Sequence, residues 1–250
     1  MRALVMACVV VGAMGVFAGE ARAAEPAHLS WAKQLVATVK PSANNYGDPA
    51  LVSWSGSNGL AYSTNKTKCA SLVTQLLERA YDPDFVGWLG CTSPHAATYH
   101  DAIEVEDGFT LIESIADVQP GDIVAISYLD AGCESLSCGT FAGCATSGHV
   151  AVVAAAPKLQ AATSPVIAGT AQYALTIIDS STSYHGTADT RYQSEVGGAN
   201  DQGVGRGTMR LYVDTLDPDR PIVGYSWSTS SGSLFYPHAA RDLVIGRYAG

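Results

Sequence analysis

Apolar residues recur at helical spacing in three places in the first half of the chain, whereas the second half contains short runs rich in Val, Ile and Tyr. The spacing predicts an N-terminal helix over 27–40, a helix that begins at Cys69, and a short helix over 95–103. The apolar face of the Cys69 helix is formed by Leu72, Val73, Leu76, Leu77 and Ala80. The Ser-, Gly- and Asn-rich segment 44–65 predicts a loop.

Six short segments rich in β-branched and aromatic residues predict strands. They span 123–128, 150–156, 174–179, 208–214, 222–227 and 243–248. Helices followed by consecutive strands are typical of an α+β fold with an antiparallel sheet. The sequence contains no evident internal repeat or linker, so we expect a single domain over 24–250.

The first 23 residues have the pattern of a secretory signal peptide. Arg2 supplies a positive charge, residues 4–17 are almost wholly apolar, and Ala21 and Ala23 are the small residues that signal peptidase recognises. The apolar run is too short to anchor a protein in a membrane. We therefore expect cleavage after Ala23, a secreted or periplasmic location, and no membrane span in the mature chain.

The amino-acid composition and net charge limit the classes of partner that the protein is expected to bind. The net charge is −9, and an acidic protein lacks the clustered Lys and Arg that neutralise nucleic-acid phosphates. Nucleic acid is therefore not expected as a partner, and solubility explains the acidity. The charged fraction of 15% and the abundance of Gly indicate a folded extracellular protein rather than a disordered one.

Five of the six cysteines follow the signal segment, and cysteines of exported proteins are usually paired. Four of these are disulfide candidates whose pairing the sequence does not assign: Cys91, Cys133, Cys138 and Cys144. The last three lie in a Gly- and Ser-rich segment that predicts a loop. A metal site made from these three and His149 is the alternative, but it lacks the C-x-x-C spacing of zinc sites. An odd number of cysteines leaves one free thiol.

Cys69 has the sequence context of a reactive thiol. Thr67 is a good helix-capping residue, which would place Cys69 in the first turn of its helix. There the helix dipole and the free backbone N–H groups favour a thiolate, and Lys68 adds a nearby positive charge. Judged on this segment alone, a buried structural cysteine at the start of a core helix is equally compatible.

Two later segments supply groups that could act with this thiol. A Pro-Gly-Asp turn over 120–122 leads into a strand, and His149 stands at the start of the next strand. A third strand ends on Asp179. A cysteine, a histidine and a carboxylate in these positions are the parts of a nucleophile, its base and the group that orients the base.

Three neighbours of Asp179 are alternatives for the orienting group: Ser180, His185 and Asp189. We expect His185 to line the cleft or the surface, because His149 already supplies the base. The segment 203–207 reads Gly-Val-Gly-Arg-Gly. It resembles a phosphate-binding loop superficially, but no helix and no Lys-Ser/Thr pair follow it, so it is predicted to be a turn.

Three stretches resemble the motifs of the NlpC/P60-like, papain-related cysteine peptidases, which include the CHAP amidases. They are Lys68-Cys69-Ala70-Ser71-Leu72-Val73, Gln119-Pro120-Gly121-Asp122-Ile123-Val124 and Gly148-His149-Val150-Ala151-Val152-Val153. The resemblance covers about 59–180, with the strands of 208–248 as a C-terminal extension. It implies a papain-like core in which the Cys69 helix packs on an antiparallel sheet, catalysis by Cys69, His149 and Asp179, and no metal or other cofactor.

The same resemblance implies cleavage of amide bonds, usually in cell-wall peptides, and places Tyr62 near the substrate and the oxyanion. Lys68-Cys69-Ala70-Ser71 stands where many members carry Asp-Cys-Ser-Gly, and 154–173 is expected to be an insertion. The expected function is a secreted cysteine hydrolase acting on a peptide or on peptidoglycan. A transglutaminase-like acyl transferase and a non-catalytic secreted binding domain on the same fold are the alternatives.

Overall fold

The computed structural model describes residues 24–128, 134–137, 140–142, 146–192, 202–217 and 221–250. Over these ranges the chain forms four α-helices and thirteen strands. The helices are α1 Ala27–Thr38, α2 Cys69–Tyr81, α3 Phe85–Leu89 and α4 Ala96–Glu104. The strands are β1 Val39–Tyr46, β2 Leu51–Ser53, β3 Ser63–Thr67, β4 Phe109–Leu111, β5 Ile123–Ser127, β6 Glu134–Ser137, β7 Thr140–Ala142, β8 Gly148–Gln160, β9 Thr170–Ser181, β10 Gly203–Asp214, β11 Ile222–Ser226, β12 Tyr236–Pro237 and β13 Asp242–Tyr248. None of the helices in these ranges is long and apolar enough to cross a membrane.

Eight strands form the main sheet, in the order β12-β11-β10-β9-β8-β5-β13-β4. Its strand pairs are antiparallel, so the predicted α+β class with an antiparallel sheet is confirmed. A second sheet of order β1-β3-β2 carries the chain toward α2, and β6 pairs with β7 in a two-stranded ribbon. Cys69, His149 and Asp179 lie where α2, β8 and β9 meet.

Both faces of the main sheet are buried. Side chains alternate between the two faces of a strand, so the same strands contribute to two separate apolar cores. One face packs under α1, α2 and α4, where Leu35, Leu76 and Tyr99 are fully buried. The opposite face forms a separate apolar core that includes Ile177 and Leu211. The sheet curls until β11 contacts β13.

The six predicted strands and the three predicted helices are present in the described ranges. The segment 154–173, which the resemblance marks as an insertion, is largely strand. β8 continues to Gln160 and β9 begins at Thr170, so this segment is the far end of a long hairpin. Polar residues such as Lys158 and Gln172 belong to the strand ladder because backbone hydrogen bonds hold them there.

The predicted loop over 44–65 is also wrong in part, because it includes β2 and the ends of β1 and β3. Its asparagines indicated a loop by composition, but Asn44 and Asn65 are buried inside the small sheet. The Asn65 side-chain amide donates to Asn44 Oδ1 at 3.0 Å, and Asn44 in turn binds the backbone of Val204 on β10. Polar side chains that satisfy each other can therefore form a core that apolar patterning does not detect.

Candidate active site

Cys69 is the first residue of α2, and Lys68 is the N-cap residue. The expectation that Thr67 caps this helix is wrong, because the Thr67 hydroxyl donates to Asn65 Oδ1 at 2.8 Å inside the small sheet. The turn is closed instead by Ser71, whose Oγ accepts the Lys68 backbone N–H at 2.9 Å. Cys69 nonetheless lies in the first turn, as predicted, and its side chain is buried.

Ser180 links the cysteine segment to the main sheet. Its hydroxyl donates to the carbonyl of Thr67 at 2.7 Å, and both residues are fully buried. Thr67 precedes the cysteine by two residues, and Ser180 directly follows Asp179 in β9. One hydrogen bond therefore fixes the start of α2 relative to the strand that carries the carboxylate.

His149 is brought to the thiol by a glycine. Gly148 has φ +148°, and a Cβ at this position would lie 1.8 Å from the carbonyl oxygen of Ile126 on β5. Only glycine permits this close approach, so the first residue of β8 packs directly against the backbone of β5. The next residue, His149, is thereby placed beside Cys69, close enough for each group to shift the pKa of the other.

The two ring nitrogens of His149 have different partners. Nε2 lies 2.7 Å from Asp179 Oδ2. A carboxylate oxygen only accepts, so Nε2 carries a proton and donates it to this bond. Nδ1 is the nitrogen left for Cys69. The structure thus brings Cys69, His149 and Asp179 together in a linear array.

The electrostatics of the array favour an ion pair. Burial by itself raises the pKa of the Cys69 thiol. The positive charge and hydrogen bond of His149, with the backbone N–H groups of Val150 and Ala70, outweigh burial and lower that pKa below its ordinary value. Burial lowers the pKa of His149, but the Cys69 charge and the Asp179 hydrogen bond outweigh it and raise the pKa to about 10. Both shifts favour the thiolate–imidazolium form of the pair over the two neutral groups.

Asp179 is fully buried and remains ionised. Burial opposes its charge, but Arg191 and His185 hold the pKa of the carboxyl well below its usual range. Arg191 Nη2 donates to Asp179 Oδ1 at 2.9 Å, and the same guanidinium binds Asp189 through Nε and Nη2 at 3.0 and 2.7 Å. Asp189, an alternative orienting group by sequence, thus holds Arg191 rather than His149.

His185 lines the cleft, as expected, and also reaches the carboxylate. Its Nε2 lies 2.8 Å from the same Oδ2 atom that receives His149. The His185 ring stacks on Trp227 with centroids 5.4 Å apart, and the Trp227 ring meets His149 edge-on at 4.9 Å. Trp227 therefore packs against both imidazoles.

The glycines of 203–207 serve this polar cluster. The predicted turn is wrong, since the segment is the first part of β10. A Cβ at Gly205 would lie 2.4 Å from Arg191 Nε, and one at Gly207 would lie 2.4 Å from Asp189 Oδ2. Alternate glycines leave this stretch of the strand bare, so the loop after β9 packs directly on its backbone.

A cleft of about 380 Å³ opens beside the array. Hydroxyl and aromatic groups dominate its described lining, which carries no Lys, Arg, Asp or Glu. It is lined by Tyr46, Tyr128, Thr146, Gly148, His149, Ser181, Thr182, Ser183, Tyr184, His185 and Trp227. Such a cleft suits an uncharged polar group next to the thiol.

Two residues expected near the substrate lie elsewhere. The Tyr62 side chain is exposed under the ammonium of Lys40, 3.5 Å from the ring centroid, and it is not among the described residues that line the cleft. Lys68 is half exposed and paired with Asp48, which offsets the charge that it was expected to offer the thiol.

Tyr46 occupies the cleft instead. It ends β1, and β1 pairs in parallel with β3, the strand that leads to Cys69. Burial and the charge of Cys69 raise the pKa of Tyr46, so its hydroxyl stays protonated and able to donate. No local pattern in the sequence identifies Tyr46 as a site residue. Its segment has the composition of a loop, and Tyr46 reaches the cleft only because β1 packs beside β3.

Cys69 is the free thiol among the described cysteines. Cys91 does not have a free thiol. Cys133, Cys138 and Cys144 lie outside the described residues, so the pairing of the four disulfide candidates stays a prediction.

Among the described residues, two groups of side chains have the spacing of metal ligands. One is His149, Asp179 and His185, and the other is His100 with Asp101 and Glu104; within each group the ligand atoms lie within 4.8 Å of one another. In the first group the carboxylate already accepts hydrogen bonds from both rings and from a guanidinium. This arrangement is a proton and charge network as it stands.

No family model and no solved structure matches the chain. Among curated proteins, the chain is similar to "Uncharacterized protein R653" of Acanthamoeba polyphaga mimivirus, with 28% identity over 234 residues. The match covers 89% of this chain and 96% of the viral protein, so the similarity extends over nearly the full length of both.

Proposed function

We propose that the protein is a cysteine hydrolase that cleaves amide bonds through Cys69, His149 and Asp179. The observation that carries this proposal is the array itself. A buried thiol at a helix start lies beside an imidazole whose charge lowers the thiol pKa, and Nε2 of that imidazole lies 2.7 Å from a buried carboxylate. This is the arrangement that makes a thiolate available at neutral pH next to an acid that can protonate a leaving group.

The first half of the reaction is acylation. The Cys69 thiolate attacks the carbonyl carbon of the substrate and forms a C–S bond, while the carbonyl π electrons move to oxygen. The His149 imidazolium then donates its Nδ1 proton to the amide nitrogen as the C–N bond breaks. The amine leaves, and a thioester remains on Cys69.

The second half is hydrolysis of the thioester. His149, now neutral, takes a proton from water as the water oxygen attacks the thioester carbon. The C–S bond breaks, the carboxylic acid leaves, and the thiolate–imidazolium pair is restored. Asp179 keeps the imidazole in the tautomer and orientation that both steps need.

Two donors support an oxyanion site. The first N–H groups of a helix have no partner within the helix, so the backbone N–H of Cys69 is placed to donate to the developing oxyanion. The Tyr46 hydroxyl lies in the same cleft and stays protonated, which makes it the second donor. Tyr46 takes the role for which the family resemblance suggested Tyr62.

The resemblance to NlpC/P60-like peptidases supports a papain-like core and a peptide substrate. Its three motifs correspond to the start of α2, the turn before β5 and the start of β8. In the turn, Asp122 accepts the Gln119 N–H at 2.7 Å and pairs with Arg247 at 2.8 Å. Together with the signal-like N-terminus, this favours a secreted or periplasmic enzyme acting on cell-wall peptides.

The test uses the protein and its Cys69→Ala and Cys69→Ser variants. Iodoacetamide should label Cys69 under non-reducing conditions at and below neutral pH, and peptidoglycan fragments or peptides should be cleaved by the parent protein alone. Products are identified by mass spectrometry, and a dansyl amine in parallel reactions detects acyl transfer instead of hydrolysis. The proposal fails if Cys69 is unreactive at neutral pH, or if both variants cleave as fast as the parent.

A further inference from the structure

Asp179 serves two imidazoles with a single oxygen. Oδ2 accepts from His149 Nε2 at 2.7 Å and from His185 Nε2 at 2.8 Å, whereas Oδ1 accepts from Arg191. Arg191 already compensates the charge of Asp179, and His149 already has its orienting partner. The nucleophile, base and carboxylate are thus complete without His185.

The fold nevertheless holds His185 firmly against this oxygen. Its backbone N–H donates to Asp189 Oδ2 at 2.8 Å, and its ring stacks on Trp227. Beneath it, a Cβ on Gly207 would come within 2.7 Å of the His185 Cβ. Glycine is less favourable than alanine in a strand, so β10 gives up some stability to leave room for this ring and for Asp189.

We propose that His185 is a positioning residue that acts through Asp179, drawing on the Oδ2 charge and so limiting how tightly the carboxylate holds the proton on His149. This inference rests on the proposed function, in which His149 must both give and take a proton in each cycle. A donor hydrogen bond to a carboxylate stabilises its charge and makes it a weaker partner for a second donor. A base that holds its proton too strongly returns it slowly to the leaving amine.

The charged and titratable groups that face His185 are few. They are Asp179 on β9, His149 on β8, and Asp189 with Arg191 in the loop after β9. Trp227, which follows β11, contributes a ring without charge. A change at His185 therefore reaches His149 through the shared oxygen or through the ring contact with Trp227, and a donor-retaining variant separates the two routes.

The experiment compares His185→Leu, which removes the donor, with His185→Gln, which keeps an N–H donor of similar reach. The titration of His149 is followed by NMR of histidine-labelled protein, and the rate of Cys69 alkylation by iodoacetamide is measured over the same pH range. We expect His185→Leu to raise the pKa of His149 by about one unit, a tenfold gain in proton affinity, and His185→Gln to leave it nearly unchanged. An unchanged or lowered His149 pKa in His185→Leu overturns the inference, as does an equal rise in both variants.

A second variant keeps the test independent of the folding of His185→Leu. His185→Phe also removes the donor but keeps a flat ring that can stack on Trp227, so it should raise the His149 pKa in the same direction; no rise there counts against the inference. The alkylation profile separates the two proposals. If Cys69 forms a thiolate only at the pH of an ordinary thiol, the proposed hydrolase fails, whatever the histidine titration shows.

Discussion

Among the described residues, two carboxylates each lie next to a pair of imidazoles, and the surroundings of the two carboxylates differ. Asp179 binds His149 and His185 at 2.7 and 2.8 Å and is fully buried. Asp242, at the start of β13, lies 3.3 Å from His100 on α4 and 2.6 Å from His238, whose side chain is 47% exposed. The same three groups therefore occur twice.

What separates the two clusters is what lies beyond the imidazoles. The Asp179 cluster continues to a thiol on one side and to Arg191 on the other, and it opens on a cleft. The Asp242 cluster continues to the exposed carboxylates Asp101 and Glu104 on α4. We propose that the first arrangement activates a nucleophile, whereas the second holds α4 against β13. A candidate catalytic histidine–carboxylate pair differs from a structural one in the third group beside the imidazole, which is the Cys69 thiol in the Asp179 cluster.

The largest difference is expected from removing one imidazole of each cluster. His149→Ala should reduce amide hydrolysis by about 10³–10⁴-fold, because both proton transfers lose their carrier. His100→Ala should leave the rate within about twofold of the parent. Initial rates on a cleaved peptide measure both. A His149→Ala protein that hydrolyses at the parent rate would show that the two clusters do not differ in function.

Replacing each carboxylate by its amide comes next. Asp179→Asn should lower hydrolysis by about 10²–10⁴-fold and destabilise the fold by about 3–5 kcal/mol, because a buried guanidinium and two imidazoles lose the charge that they share. Asp242→Asn should cost about 1 kcal/mol and no activity, since solvent reaches its partner His238. Urea unfolding and rate measurements on the same preparations provide the comparison. Equal destabilisation by the two substitutions would contradict it.

The pH dependence of stability should reveal the Asp242 cluster when the parent is compared with a His100 variant. Burial lowers the pKa of His100, but Asp101 and Asp242 outweigh burial and raise it to about 9, above its ordinary value of 6.5. A raised pKa means that the folded state binds the proton more tightly, so the stabilisation is complete below about pH 6.5 and is lost as the pH rises through 9. With partly exposed partners, the loss should be about 1–2 kcal/mol. Urea midpoints at pH 6 and pH 9 should differ less in His100→Gln than in the parent.

The smallest effect is expected from Ser180→Ala, which removes the link between the Asp179 strand and the cysteine segment. Loss of the buried bond to the Thr67 carbonyl should destabilise the protein by about 1–3 kcal/mol. Hydrolysis should fall by less than about tenfold, because the thiol and imidazole remain. Ser114→Ala, at an exposed turn, is the matched control and should change neither quantity. A rate loss as large as that of Asp179→Asn would make Ser180 part of the array.

Sequence reasoning succeeded where a chemical signal is local and failed where the contact crosses the fold. The apolar face of α2, the strand after Gly148 and the carboxylate at the end of β9 are all visible in short windows. Tyr46 and Arg191 are not, because they meet the array only after separate loops and sheets pack together.

Buried polar groups account for the remaining errors. Asn44 and Asn65 have loop composition, yet they satisfy each other inside a sheet, and Thr67 is used there instead of at the helix cap. The glycines of 203–207 suggested a turn by composition. The side chains that occupy the space over Gly205 and Gly207 belong to His185, Asp189 and Arg191, which come earlier in the chain, so the segment itself does not reveal them. Period and propensity describe one segment at a time, and these contacts join two.

The length of the β8–β9 hairpin has a practical consequence. His149 stands at one end of β8 and Gln160 at the other, about 36 Å away at the usual rise of a strand. The connecting residues 161–169 and the exposed side chains of Leu159 and Val166 belong to that distant end. An affinity tag, a fluorophore or a surface linker placed there would leave the approach to Cys69 open, so the protein could be immobilised with its cleft facing the solution.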